Sequence, residues 1–261
     1  MTGGGTGLPR DDGTPPESFA ALLRTEGLEP RWDVPPGFEA LEAPEGTTVL
    51  AFRYADGVLM AGDRRATAGN LIAHRRVQKV FSADSHSAVA ISGTAGVAIE
   101  MVRLFQTELE HYEKIESQRL SLEGKANHLA SMVRRQLPMA FQGLVVIPLF
   151  CGFDEIARRG RLYSFDVVGG RYEETDFAAT GSGGRDAKLY IRTAFTDDMD
   201  EAAALGLAME AMIAAAEEDT ATGGPDLQRG IFPNVVVVTA DGYRELSDDE
   251  IASASRTAMG A

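Results

Sequence analysis

Cysteine is nearly absent from this chain: Cys151 is the only one in 261 residues. An intrachain disulfide is therefore excluded, and a reducing, cytoplasmic setting is expected. Cys151 lies in the apolar run from Leu144 to Phe153 and reads as a core thiol. Histidine is also scarce. The four (74, 86, 111 and 128) show no metal-ligand spacing, and neither a metal nor a cofactor is expected. Basic residues are outnumbered, 25 Lys and Arg against 39 Asp and Glu, a net charge of −14. That balance argues against nucleic acid or an anionic membrane as partner. No window approaches the roughly 18 apolar residues of a membrane span. The first residues carry no basic start followed by an apolar stretch, so no secretory signal is read there. Gly181-Ser182-Gly183-Gly184 lacks the Gly-Lys-Thr/Ser ending of a phosphate loop.

What is present divides at Gly46. Residues 1–46 hold nine acids against three arginines, with Gly and Pro at both ends; only Ser18 to Arg24 could form a short helix. Such a segment buries little. It is read as a leader, and residues 47–261 as one domain. Past Thr47 the pattern changes. Thr48–Arg53 and Val58–Ala61 flank Ala55-Asp56-Gly57, a hairpin signal. Val77–Phe81 and Ala88–Ile91 form a second. Apolar residues at 98, 101/102, 105, 109 and 112 predict a helix over 97–112, and another spans 122–136. Strands follow over 144–152, 161–168 and 171–176, then helices over 186–194 and 199–218. Strands over 234–239 and 243–246 come next, and Ser247 caps a last helix. The order ββββ αα βββ αα ββ α suits an α+β fold: a four-layer αββα sandwich of two antiparallel sheets.

The chemistry concentrates at Gly46-Thr47-Thr48-Val49. Cleavage after Gly46 would give Thr47 a free α-amine next to its hydroxyl. The amine, with a pKa of about 7.7–8.0, can take the hydroxyl proton near neutrality. Taken alone, Thr-Thr-Val is also ordinary strand sequence. Further along stand Gly62-Asp63-Arg64-Arg65-Ala66-Thr67, Lys79 within Val77-Gln78-Lys79-Val80-Phe81, and Ser92-Gly93-Thr94-Ala95-Gly96. Thr180-Gly181-Ser182-Gly183 and Gly223-Gly224-Pro225-Asp226-Leu227-Gln228-Arg229-Gly230 follow.

At these spacings the set resembles the proteasome β-subunits, most of all the actinobacterial 20S form. The resemblance covers 47–261. It implies the N-terminal nucleophile hydrolase fold, removal of residues 1–46 as a propeptide, and threonine endopeptidase activity on unfolded proteins. Thr47 would be the nucleophile, Lys79 the adjacent cation, Asp63 its partner and Gly93 the backbone oxyanion donor. Ser182 and Asp226 would hydrogen-bond around the threonine amine. The family often has a serine three residues past that aspartate, where Arg229 stands here. Ala66, Ala68, Val77, Ile91, Ala95 and Ile99 would line an apolar substrate pocket. The implied partners are a seven-membered β-ring stacked on a second, outer α-subunit rings, a ring-shaped ATPase and a small protein tag on substrates. Two other readings compete: an unprocessed ring-building subunit, and the two-ring heat-shock-type protease, whose pattern has Gly-Asp-Gly-Gln where this chain has Gly-Asp-Arg-Arg.

Overall fold

The computed structural model describes residues 46–69 and 71–260, and all of the leader expected over 1–46 except Gly46 lies outside them. Strands β1 (Thr48–Tyr54) and β2 (Gly57–Gly62) form the first hairpin, and β3 (Ala66–Ala68) and β4 (Leu71–His74) a small separate one. Next come β5 (Val80–Asp84), β6 (Ser87–Gly93), and helices α1 (Ala95–Glu116), α2 (Leu122–Arg135) and α3 (Leu137–Ala140). The chain returns to strands in β7 (Val146–Asp154), β8 (Arg159–Phe165), β9 (Arg171–Glu174) and β10 (Phe177–Gly181). It ends with α4 (Gly184–Ala194), α5 (Glu201–Glu218), β11 (Asn234–Thr239), β12 (Gly242–Glu245) and α6 (Asp248–Met259).

Two antiparallel five-stranded sheets result, ordered β10-β1-β2-β11-β12 and β5-β6-β7-β8-β9. Strand alternation explains why they stack. Leu50 and Phe52 of β1 point outward and pack with Ala208, Met209 and Met212 of α5. Val49 and Ala51 point the other way, to Ala88, Ala90, Leu149 and Cys151 of the facing sheet. In β11 the same division separates Val235 and Val237 from Val236 and Val238. Both faces of a central strand are thus covered, so its sequence is a continuous apolar run. Outside the second sheet, Val89 and Phe150 meet Met101 and Phe105 of α1 and Leu129 and Val133 of α2. The helical and inter-sheet cores together make four layers, αββα.

Three differences from the sequence pattern have physical causes. The stretch 171–176 is not one strand followed by loop. After β9 the chain bends at Thr175-Asp176 and enters the opposite sheet as β10, beside β1. Local periodicity cannot distinguish one sheet from the other. The β3–β4 hairpin went unread because all four residues of β4 are exposed and lack alternation. Pro138 does not merely end α2. It sits in the first turn of α3, where a missing N–H costs nothing.

Candidate active site

The site forms at one end of the first sheet, where β1 begins, β2 ends and β10 ends. Pairing with β10 fixes the start of β1: Ser182 N–H donates to Thr47 O at 2.8 Å. Gly181 makes this approach possible. Its φ is +96°, and a Cβ there would stand 1.9 Å from Thr47 O. Gly181→Ala is expected to displace Thr47, cost roughly 1–3 kcal/mol of stability and depress peptide hydrolysis more than Tm. Thermal unfolding and a peptide assay on the same sample check this.

Asp63, immediately after β2, has no exposed surface. Its Oδ1 accepts from Thr48 N–H at 2.7 Å and from Lys79 Nζ at 2.6 Å. Its Oδ2 accepts from Arg65 N–H at 2.8 Å and Gly223 N–H at 3.0 Å. Four donors converge on one buried carboxylate and hold it in place. Lys79, just ahead of β5, is likewise buried. Its ammonium donates to Asp63, to Arg65 O at 2.6 Å and to Gly46 O at 3.0 Å. Those acceptors take all three protons. Burial lowers the Lys79 pKa from its ordinary value, and the Asp63 charge opposes this without cancelling it.

Thr47 Oγ1 donates to Gly46 O at 2.7 Å. One carbonyl oxygen therefore receives both the hydroxyl and the ammonium. Gly46 is there for a steric reason: a Cβ would fall 2.5 Å from Thr67 Oγ1 and 2.9 Å from Ala221 Cβ. Thr47 N lies 3.4 Å from Ser182 Oγ, its acceptor. Ser182 Oγ donates in turn to Asp219 Oδ2 at 2.5 Å, as does Thr222 Oγ1 at 2.5 Å. Burial works to raise the Asp219 pKa, but these hydroxyls and Ala221 N–H bring it below the ordinary value. Thr222 Oγ1 also meets Thr48 Oγ1 at 2.6 Å.

A cleft opens beside Thr47, lined by Ala66, Val77, Ile91, Gly93, Ala95 and Ile99 among others. Gly93 has φ +100°, and a Cβ would stand 2.1 Å from Val145 O. Ala68, expected in the pocket, is not in its wall. Ala68 ends β3 and is exposed, whereas Ala66 is buried. Gln78 and Ala98 line the cleft without having been singled out.

The structure brings Thr47, Asp63, Lys79, Gly93 and Ser182 together but leaves Asp226 aside. Asp226 pairs with Arg229, Oδ2 to Nη1 at 2.7 Å, and bridges to Ile231. Asp219 holds the place beside Ser182 that was expected of Asp226. The signal was legible: Asp219-Thr220-Ala221-Thr222-Gly223-Gly224 has a hydroxyl three residues past the carboxylate. Aligned there, the sequence no longer lacks that hydroxyl, and Arg229 replaces nothing.

Cys151 is far from this chemistry. It lies in the inter-sheet core, and burial pushes its thiol pKa up to about 12. Iodoacetamide treatment of the native protein, or Cys151→Ala, is expected to leave peptide hydrolysis within about twofold of wild type.

Two antiparallel sheets between helical layers, with a hydroxyl-bearing residue opening the first strand, define the architecture of the N-terminal nucleophile hydrolases. The family model described as "Proteasome subunit" matches residues 43–226. A proteasome subunit beta from Acidimicrobium ferrooxidans is 53% identical over 247 residues, covering 94% of this chain and 90% of its own. One from Acidothermus cellulolyticus is 54% identical, over 89% of this chain and 82% of its own. A third, from Streptomyces griseus, is 53% identical over 92% and 86%. The chain belongs to the proteasome subunit family, on its proteolytic β-subunit side. Among the described residues, no helix is long and apolar enough to cross a membrane.

Proposed function

We propose that this β-subunit is a threonine endopeptidase whose nucleophile, Thr47, is freed when the chain cuts itself between Gly46 and Thr47. Residues 1–46 are then a propeptide, and 47–261 the mature catalytic domain. The observation that carries this reading is the Gly46 carbonyl oxygen, held by Thr47 Oγ1 at 2.7 Å and Lys79 Nζ at 3.0 Å.

The geometry suits an N-to-O acyl shift. Thr47 Oγ turns from the Gly46 oxygen to its carbon and bonds there, closing a five-membered ring through Cβ, Cα and N. The hydroxyl proton passes to a water or to a transiently neutral Lys79, whose lowered pKa makes that exchange less costly. The oxyanion draws on the Lys79 ammonium. Thr47 N takes up a proton, the C–N bond breaks, and an ester joins Gly46 to Oγ. Water hydrolyses the ester, leaving a Gly46 carboxylate and a Thr47 with free hydroxyl and amine. In the mature chain that amine is the base for substrate attack. Ser182 and Asp219 orient it, and the Gly93 N–H serves the substrate oxyanion. Asp63 keeps the Lys79 charge in place.

Mature activity should rise as the Thr47 amine loses its proton, at about pH 7.7–8.0. It should fall again at alkaline pH, earlier than an ordinary lysine would require, as buried Lys79 loses its own. The cleft walls, apolar apart from Thr47, Gln78 and Lys79, favour apolar residues before the cut. Enclosure protects the cell from such a site. The expected particle is two seven-membered β-rings between α-subunit rings, fed by a ring-shaped ATPase that draws in tagged proteins. The test is intact-mass measurement of the chain alone and after assembly with its α-subunit. A chain starting at Met1 before assembly and at Thr47 after is expected. Full activity with Met1 retained would defeat the proposal.

A further inference from the structure

A second recess gathers cations that have no ion-pair partner among the described residues. It is lined by Arg64, Arg65 and Arg75, together with Asp226, Ile231 and Phe232. Arg76 closes in beside it, donating to the backbone oxygens of Arg229 and Gly230 at 3.2 and 3.3 Å. Among the described residues, none of Arg64, Arg65, Arg75 and Arg76 forms an ion pair. The one carboxylate in the wall, Asp226, is already taken by Arg229 at 2.7 Å. Asp63 is committed to Lys79. Asp219 bonds Ser182 and Thr222, although its field reaches Arg65. Four guanidinium groups without an ion-pair partner among the described residues leave this place electropositive, suited to an anion.

This pocket adjoins the Gly46 site through one loop. Arg65 Nη1 donates to Thr220 O at 2.7 Å, and the next residue, Ala221, packs where a Gly46 Cβ would stand. Arg65 Cβ also lies against Gly223, whose N–H holds Asp63. The chain reaching Gly46 reads Leu41-Glu42-Ala43-Pro44-Glu45. Glu45 is the immediate neighbour of Gly46. Glu42, four residues ahead of it, lies within about 14 Å of extended chain. Planar guanidinium groups suit carboxylates, and several around one recess would fix the direction from which the peptide arrives.

We propose that the arginine pocket is a carboxylate subsite whose occupant in the precursor is the Glu42–Glu45 segment. Its role is to hold the Gly46 carbonyl against Thr47 and Lys79 until the bond is cut. Arg75 is then a positioning residue, since it touches no reacting atom. This rests on the cleavage reading above.

The experiment follows the appearance of the chain beginning at Thr47, by intact mass, after mixing precursor and α-subunit. Arg75→Glu and the double change Glu42→Lys with Glu45→Lys are each expected to slow processing about tenfold. Combining them should restore the rate to within about threefold of wild type, a recovery that a merely structural role of Arg75 cannot give. Because Arg75 is exposed, thermal unfolding should show the variant folded. A processing rate unchanged by Arg75→Glu overturns the proposal. So does a slowed rate that the combination does not recover, which would make the arginines' partner another subunit. A wild-type precursor that is never cut at Gly46 would instead sink the cleavage reading itself, together with this one.

Discussion

Thr47→Ala is expected to leave the chain uncut and peptide hydrolysis at background, while the particle still assembles. Removing one nucleophile from a working site costs about four to six orders of magnitude in turnover. The same change removes the hydroxyl that would attack Gly46, so two losses should appear together in one variant. Structure should be spared. Thr47 anchors β1 through its backbone oxygen, which accepts from Ser182 N–H at 2.8 Å, and that bond does not need the side chain. Thr47→Ser should retain part of both activities, because a hydroxyl and, after cleavage, an amine remain. Intact mass, size-exclusion chromatography and a peptide assay on each variant decide the matter. Thr47→Ala with appreciable turnover would place the nucleophile elsewhere.

Lys79→Ala and Asp63→Asn are expected to reduce turnover by about two to four orders of magnitude each. The two losses differ in origin. Lys79→Ala removes the cation from Gly46 O but leaves Asp63 with three backbone N–H donors, so the fold should survive. Asp63→Asn is harsher. Every group around that carboxylate is a donor, and an amide NH₂ cannot accept from any of them. It also leaves a buried ammonium without its counter-charge, a loss of about 3–5 kcal/mol. Because the pair acts as one unit, the double variant should fall little below the worse single one. Additive losses would mean that the two residues do not share a site. Lys79→Arg should not rescue, since a planar guanidinium cannot direct three protons to Asp63, Arg65 O and Gly46 O from one point. Unfolding curves separate the catalytic loss from the structural one.

Much of this architecture was legible before any coordinates. The runs at Val49–Tyr54 and Val235–Val238, and the helical spacing from Ala98 to Leu109, follow from periodicity because each side of each element meets apolar neighbours. Thr47, Asp63 and Lys79 stood out through spacing and motif. Asp219 was passed over for Asp226, since both are acids in one loop and local pattern does not rank them. The bend that carries β10 into the other sheet decided between them. It sets Ser182 over Thr47 and next to Asp219, while Asp226 turns to Arg229.

The sequence by itself therefore determined the layers, a property of residue type and period that short-range sterics and burial enforce, while the family resemblance supplied the candidate reactive groups. Only the tertiary structure decided how those groups meet. Lys79 is sixteen residues from Asp63 and thirty-three from Gly46 along the chain, yet its ammonium bonds to both. Ala68 stands exposed at the end of β3, outside the cleft wall. The arginines came together from two separate pairs, Arg64-Arg65 and Arg75-Arg76, because the β3–β4 hairpin folds back and returns them to one recess. Contacts between distant residues depend on sheet order and register. Those are set by the packing of the whole domain, which no short stretch of sequence specifies.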